Sequence, residues 1–345
     1  MIDHKRLTEL DALRGLAALS VCLFHFDYFN YGVTGVDLFF MISGFVIFMS
    51  VSNAKNINDF IFSRIIRLYP VYWLSIFIAV LAYYVKSNTF PPHHASYILG
   101  NLLMIQPVFR TPLLVDAYWT LYVEILFYLF IILIWYLRQI KNIEYVVCIS
   151  LFLMMVLNAG YLLFHESSKI YVKIFVITRG LLPIISHFNF FAAGIIFYQI
   201  YTKGYTPFRI FLLLCSFPVI MLVHHTGGKV FYIMNIEQHL LCSLVYYLVF
   251  TLVVFKKINF LRNRVFLVLG SISYPLYLIH QSFGLALRDY ISPFTGSLLS
   301  GWVAIAASLI LAYLITYYFD FPVRAWLKKT YHIKTSQLAE ARALD

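Results

Sequence analysis

Apolar runs of about twenty residues, parted by short polar stretches, recur along the whole chain. A helix that crosses a bilayer needs about that length. Ten segments qualify: 11–29, 35–53, 67–86, 117–137, 144–164, 181–202, 208–224, 238–256, 265–287 and 299–326. The stretch 170–180 is apolar but short, and is assigned to a loop or an interfacial segment. The pattern predicts an all-α polytopic membrane protein of about ten transmembrane helices. Composition agrees: 62% of the 345 residues are hydrophobic and 12% charged, where a soluble globular protein is about half apolar and about a quarter charged. Many of the 33 Phe and 27 Tyr sit near run ends, as interfacial aromatic belts do.

Lys and Arg in the loops set the orientation. With the N-terminus inside, the cytoplasmic segments carry Lys5, Arg6, Lys55, Arg64, Arg67, Arg138, Lys141, Lys203, Arg209, Lys256, Lys257, Arg262, Arg264, Arg324, Lys328, Lys329, Lys334 and Arg342. The outer loops carry only Lys86, Arg110, Lys169, Lys173, Arg179, Lys229 and Arg288. Ten spans then leave both termini cytoplasmic, with a membrane domain over 1–330 and a short cytoplasmic tail over 331–345. The net charge of +11 is loop charge. The basic residues form no long patch, so the bilayer is the expected partner and nucleic acid is not. Cys22, Cys148, Cys215 and Cys242 fall within apolar runs and lack metal-ligand or paired-loop spacing, so no metal site is expected. The adjacent pairs His93-His94 and His224-His225 read as solvent-facing residues of outer loops. The polar N-terminus precedes an apolar run long enough to stay as an anchor, so no cleavable signal is expected.

Against this apolar background a few ionisable groups lie at membrane depth, where they are costly and tend to face a cavity or a partner. Arg14 and His25 are both on the first span, in LDALRGLAALSVCLFHF. Eleven residues of helix make three turns plus roughly 20° and rise about 16 Å, so the two side chains share a face, one near a membrane surface and one deep. His25, Asp37 (in GVDLFFMISGF), Glu124 (in AYWTLYVEILFY) and His280 (in SYPLYLIHQ) fall at broadly similar depth on the outer side. Arg14, Arg64 and Arg67 (in SRIIRLYP), and Asp320 and Arg324 (in FDFPVR) form a second layer on the cytoplasmic side. Arg64 and Arg67 are three apart and share a helix face, and a pair of guanidinium forks matches phosphate oxygens. Each residue also has a plainer reading. The arginines serve equally as positive-inside anchors, His25 as a neutral histidine on a backbone carbonyl, Asp37 and Glu124 as structural ion pairs, and His280 as a cap on a kink after Pro275. Ser43-Gly44 and Tyr274-Pro275 read as packing or kink points.

These motifs together resemble the membrane-bound acyltransferase-3 family of integral-membrane O-acyltransferases. The match runs from LDALRGLAALSVCLFHF through GVDLFFMISGFVIF, FIFSRIIRLYPVYW and DAYWTLYVEILFYL to SYPLYLIHQ. The family's Arg-x10-His signature is Arg14 and His25, and its Arg-x-x-Arg pair is Arg64 and Arg67. Two departures stand out: Trp119-Thr120-Leu121 replaces the usual Trp-Ser-Leu, and Asp320-Phe321-Pro322 replaces Glu-x-Pro. The resemblance implies transfer of an acyl group, most often acetyl, from cytoplasmic acyl-CoA to a hydroxyl of a cell-envelope or exported saccharide, in a bacterial inner membrane. It implies acetyl-CoA as donor substrate with no permanently bound cofactor, and separate envelope-glycan assembly proteins as partners.

The two layers suit that task. Arg14, Arg64 and Arg67 are the expected binders of the CoA phosphates. His25 is the expected general base, since an unperturbed imidazole titrates near neutrality, and either Asp37 or Glu124 is positioned to orient it. Trp119, Tyr122 and His280 are the expected acceptor-side residues. A covalent acyl-histidine is the alternative route. The competing class is a proton-coupled transporter or a glycan or lipid exporter, which also uses membrane histidines and carboxylates. Such carriers often show internal repeats, and the two halves of this chain show no convincing one.

Overall fold

The computed structural model describes residues 7–342 apart from 55, 93 and 228. Lys5, Arg6, Lys55 and His93 of the sequence reading therefore lie outside the described residues. Among the described residues the chain is helix and loop with no strand. The helices are α1 (Thr8–His25), α2 (Gly35–Ser52), α3 (Ile57–Ser87), α4 (Ala95–Leu103), α5 (Gln106–Phe109), α6 (Trp119–Tyr136), α7 (Ile143–Phe164), α8 (Lys169–Leu181), α9 (Phe188–Lys203), α10 (Pro207–His225), α11 (Ile236–Val254), α12 (Arg264–Ile279), α13 (Ala286–Thr295), α14 (Ser297–Leu314) and α15 (Phe321–Arg342). Two π turns, His280–Leu285 and Ile315–Asp320, join α12 to α13 and α14 to α15.

Among the described residues, eight helical stretches are long and apolar enough to cross a membrane. The other two of the ten expected spans are present as helices that fall short of that test. α1 carries Glu9, Asp11 and Arg14 within 18 residues, and α9 has only 16 residues. Both sit inside the bundle, where a helix needs little lipid-facing apolar surface; every residue of α9 from Phe188 to Ile200 is buried. The stretch 170–180 is helix rather than loop. As α8 it buries Phe175 and leaves Ile170, Ile174 and Ile177 exposed, because a backbone in apolar surroundings must satisfy its own polar groups.

Local chemistry sets the helix ends. Asn56 caps α3 by accepting from the Asp59 N–H at 2.8 Å, and Asn88 ends it in the left-handed conformation at φ 51°. Asn235 and Gln238 form a reciprocal capping box on α11. Ion pairs tie elements at their ends: Glu9 of α1 with Arg262 at 2.7 Å, and Glu144 of α7 with Arg209 of α10 at 2.9 Å.

Inside a bilayer, apolar side chains gain little from leaving lipid for one another, so close backbone packing carries helix association. Two parallel helix pairs use it here. On α1 and α12, a Cβ at Gly15 would overlap the backbone of Leu269 and Gly270, and one at Gly270 would overlap the carbonyl of Asp11. On α2 and α9, a Cβ at Gly44 would overlap the Phe191 carbonyl, and one at Gly194 the Met41 carbonyl. Gly44 is thus a packing point. Phe40, Phe191 and Phe127 stack beside it, with centroids 4.7 and 4.1 Å apart.

Backbone cannot swing aside as a flexible side chain can. Gly270→Val should therefore be destabilised by ~3 kcal/mol or more, the upper range for overpacking, whereas Gly180→Val, with nothing within 4 Å of the added Cβ, should behave like the parent. Thermal unfolding of the two detergent-solubilised variants, followed by size-exclusion chromatography, checks the contrast.

Candidate active site

Three cavities lie in line along α1. One of about 320 Å³ is lined by Asp11, Arg14, Arg67, Ser271, Ser273 and Arg324 among others. The next, of about 60 Å³, is lined by Arg14, Ser43, Arg67, Thr120, Glu124 and Tyr277. The last, of about 100 Å³, is lined by His25, Asp37, Asp116, Trp119, His187 and Tyr277. Arg14, Arg67 and Tyr274 wall the first and second in common. Val36 and Tyr277 wall the second and third. The arginine layer and the His25 layer are thereby the two ends of one series of spaces.

At the arginine end, α1, α3 and α15 each supply a guanidinium. Arg14 approaches the Asp11 carboxylate at 3.5 Å one turn below it. Arg324 pairs with Asp320, which is fully buried at the end of the second π turn, so the shortened carboxylate in FDFPVR does reach its partner. Of the Arg-x-x-Arg pair only Arg67 lines the cavities. Arg64 turns aside: its Nε donates to Ser63 Oγ at 3.1 Å, one Nη to Ser50 Oγ at 3.4 Å, and its guanidinium lies 5.5 Å from the centre of the Phe60 ring. Arg324 lines the first cavity together with Arg14 and Arg67.

Glu124 belongs to this end too. It lines the middle cavity with Arg14 and Arg67, and its Oε1 accepts from the Tyr128 hydroxyl one turn on, at 2.5 Å. It does not line the His25 cavity, which corrects its expected depth. α6 enters with Trp119 at the His25 level, and Glu124 is more than a turn further along.

At the other end, His25 closes α1 and faces Gln281. The amide Nε2 of Gln281 lies 3.0 Å from both ring nitrogens, and its Oε1 accepts from the Ala117 N–H at 2.9 Å. Because a backbone N–H can only donate, that bond fixes the amide so that its NH2 points at the imidazole. Behind the ring, His280 lies 5.1 Å away, centroid to centroid. Its Nδ1 is 2.7 Å from the Tyr277 carbonyl and 3.2 Å from that of Leu276, so Nδ1 carries a proton. His280 is fully buried and does not line the cavity. The structure thus places His280 behind the His25 ring rather than on the cavity wall, with its buried Nε2 unmatched among the described residues. The wider π turn that begins at His280 brings the next residue, Gln281, to the His25 imidazole.

Asp37 does face the His25 cavity, but its Oδ2 meets His239 Nε2 of α11 at 3.1 Å. Tyr122 is also corrected. It is buried, and its hydroxyl donates to the Leu181 carbonyl at 2.7 Å, tethering α6 to the end of α8 away from the cavity. Trp119 does line the cavity, with its ring 5.1 Å from that of His187. The Thr120 hydroxyl, which stands for the more usual serine, bonds the Tyr277 hydroxyl at 2.8 Å and the Ala117 carbonyl at 3.1 Å. His224, read as solvent-facing, is buried with its ring 5.6 Å from His239, while His94 and His225 are exposed. Gln281 and His239 were missed because only charged groups and a few histidines were weighed at membrane depth. Extending the same cost argument to amides and to every histidine inside a span picks out both.

Such a site pairs a cationic mouth, suited to a polyanion, with a proton acceptor about 16 Å away along one helix. The comparisons with known proteins bear on the family. The profile of the acyltransferase-3 family, described as an acyltransferase domain, matches residues 7–318. A putative peptidoglycan O-acetyltransferase, YrhL, of Bacillus subtilis (strain 168) is 40% identical over 86 residues, 23% of this chain and 14% of that protein. A putative acetyltransferase, ORF330, of Acidianus two-tailed virus is 25% identical over 284 residues, 78% of this chain and 80% of that one. The exopolysaccharide production protein ExoZ of Rhizobium meliloti (strain 1021) is 29% identical over 189 residues, 52% and 54% of the two chains. The matched stretch thus spans a small part of the Bacillus relative and about half of the Rhizobium one. No solved structure matches. The carrier reading gives way to group transfer, and the chain belongs to the acyltransferase-3 family of polytopic membrane acyltransferases.

Proposed function

We propose that this protein moves an acetyl group from cytoplasmic acetyl-CoA to a hydroxyl of an exported or cell-envelope saccharide, in a bacterial inner membrane with both chain termini cytoplasmic. The observation that carries the proposal is the series of cavities, walled in common, from Arg14, Arg67 and Arg324 to His25. The names of the Bacillus and Rhizobium relatives support a saccharide acceptor and, for the former, acetyl as the group transferred. Separate glycan-assembly proteins supply that acceptor.

The nucleotide phosphates stay at the arginine end, where guanidinium forks meet them. The thin thioester arm passes the narrow middle cavity and presents its carbonyl beside His25. The acceptor hydroxyl enters the His25 cavity from the opposite end and attacks. His25 takes its proton as the oxygen–carbon bond forms. The carbon–sulfur bond then breaks, and the imidazolium returns the proton to the leaving thiolate, giving the ester and free CoA thiol with no net proton change. Gln281 positions the ring, and Asp37, held by His239, faces the space where the acceptor hydroxyl arrives.

His25→Ala should lower kcat by ~10²–10⁴-fold, the usual range for a lost general base, with acetyl-CoA binding kept. Gln281→Leu should lower kcat up to ~10²-fold through misplacement of the ring, again with acetyl-CoA KM near the parent value. Assays of label transfer from [14C]acetyl-CoA in proteoliposomes read both, and near-normal turnover by His25→Ala would remove the mechanism. Arg67→Ala should raise the acetyl-CoA KM by about 10-fold or more, as loss of a charged hydrogen bond does, and leave the acceptor KM nearly unchanged. Equal effects on both substrates, measured in the same assay, would count against the phosphate role.

A further inference from the structure

Beside the His25 cavity lies a fourth space, a recess of about 20 Å³ lined by Asp37, Ser186, His187, Asn189, His224 and His239 among others. It shares Asp37, His187 and Val230 with the His25 cavity, so the two adjoin across the Asp37–His239 pair. Asn189, at the start of α9, is 1% exposed. Neither its amide oxygen nor its amide nitrogen has a hydrogen-bond partner among the described residues, and nor does Nδ1 of His239. A buried amide left unmatched on both sides is costly, and such groups in native proteins are nearly always satisfied. Something with both a donor and an acceptor therefore belongs against Asn189.

Size narrows the choice. A space of this volume takes one water or one group of similar size, so a sugar ring does not fit. A single hydroxyl does, and it matches an amide on both counts, donating to the carbonyl oxygen and accepting from the NH2. We infer that the recess around Asn189 receives a second hydroxyl of the acceptor, one beside the hydroxyl that is acylated, and so selects which position of the saccharide reaches His25. Asp37 stands between the two spaces and faces both hydroxyls. The inference rests on the acceptor's being a polyol, as proposed above, and assigns Asn189 to positioning rather than to chemistry.

Asn189→Leu keeps the bulk of the side chain and removes both hydrogen-bonding functions. The full chain in proteoliposomes is supplied with [14C]acetyl-CoA and with envelope polysaccharide of the native host stripped of its esters by mild base. The variant is expected to show an acceptor KM raised at least ~10-fold, the effect of leaving a hydroxyl unmatched. Its acetyl-CoA KM should stay at the parent value. Mass spectrometry of the product should show ester at more than the single position that the parent modifies. A loosened fold would depress kcat without redistributing the ester, so position separates selection from damage. Asn189→Ala, which is smaller and carries neither donor nor acceptor, gives the same reading where the leucine variant does not accumulate. Unchanged acceptor KM and unchanged ester position in either variant would overturn the inference and leave the recess to solvent. No transfer by the parent chain would overturn the proposed function, and this inference with it; transfer by the parent with indifferent variants overturns this inference alone.

Discussion

The contact that everything else depends on is the glycine-to-glycine approach of α1 and α12. With no side chain between them at Gly15 and Gly270, the two backbones touch and cannot slide. The helices run parallel, so ten residues further along each brings His25 against His280. Arg14, next to Gly15, and Tyr274, one turn beyond Gly270, line the first and second cavities together. One steric constraint in the middle of the bundle therefore fixes both the cationic mouth and the imidazole. The second parallel pair repeats the device. Gly44 on Gly194 holds α2 to α9, and Asp37 and Asn189, both at the His25 end, come to line one recess.

Low dielectric explains why the polar groups then gather as they do. A charged or amide group inside the membrane region has no water to fall back on, and its partners must come from the bundle or from a cavity. Glu124 takes the Tyr128 hydroxyl, Asp37 takes His239, Asp320 takes Arg324, and Gln281 takes the Ala117 N–H together with His25. Each of these bonds also sets the direction of a side chain on the cavity wall. Where the protein leaves atoms unmatched, as at Asn189, that same cost directs attention to a ligand.

Much of this was legible in the sequence because it is local. Helix periodicity alone puts Arg14 and His25 on one face, and run length alone finds the spans. Thr120 kept the hydroxyl that its position uses. What was not legible is tertiary. The partner of Asp37 is 202 residues away, and nothing in the spacing chooses His239 over His25. Arg64 and Arg67 share a face, yet only Arg67 lines the cavities, while Arg64 bonds Ser63 and Ser50. The π turn after Pro275 moves the active contact from His280 to Gln281, one residue along. A change of register that small is set by how the backbone relaxes around a missing N–H and a crowded carbonyl.

The unequal sizes of the spaces give the reaction its direction. The middle cavity has about 60 Å³, against about 320 Å³ at the arginine end and about 100 Å³ at the His25 end. That order of sizes suits the proposed route, in which a thin thioester arm travels to His25 and the acceptor stays at the His25 end. The same narrowness favours direct transfer over an acyl-histidine. A covalent intermediate is useful where the first product must leave before the second substrate can enter. In the proposed mechanism donor and acceptor arrive by opposite ends, and neither blocks the other. Both would be held together at one imidazole, with the proton taken from the hydroxyl already beside the sulfur that needs it.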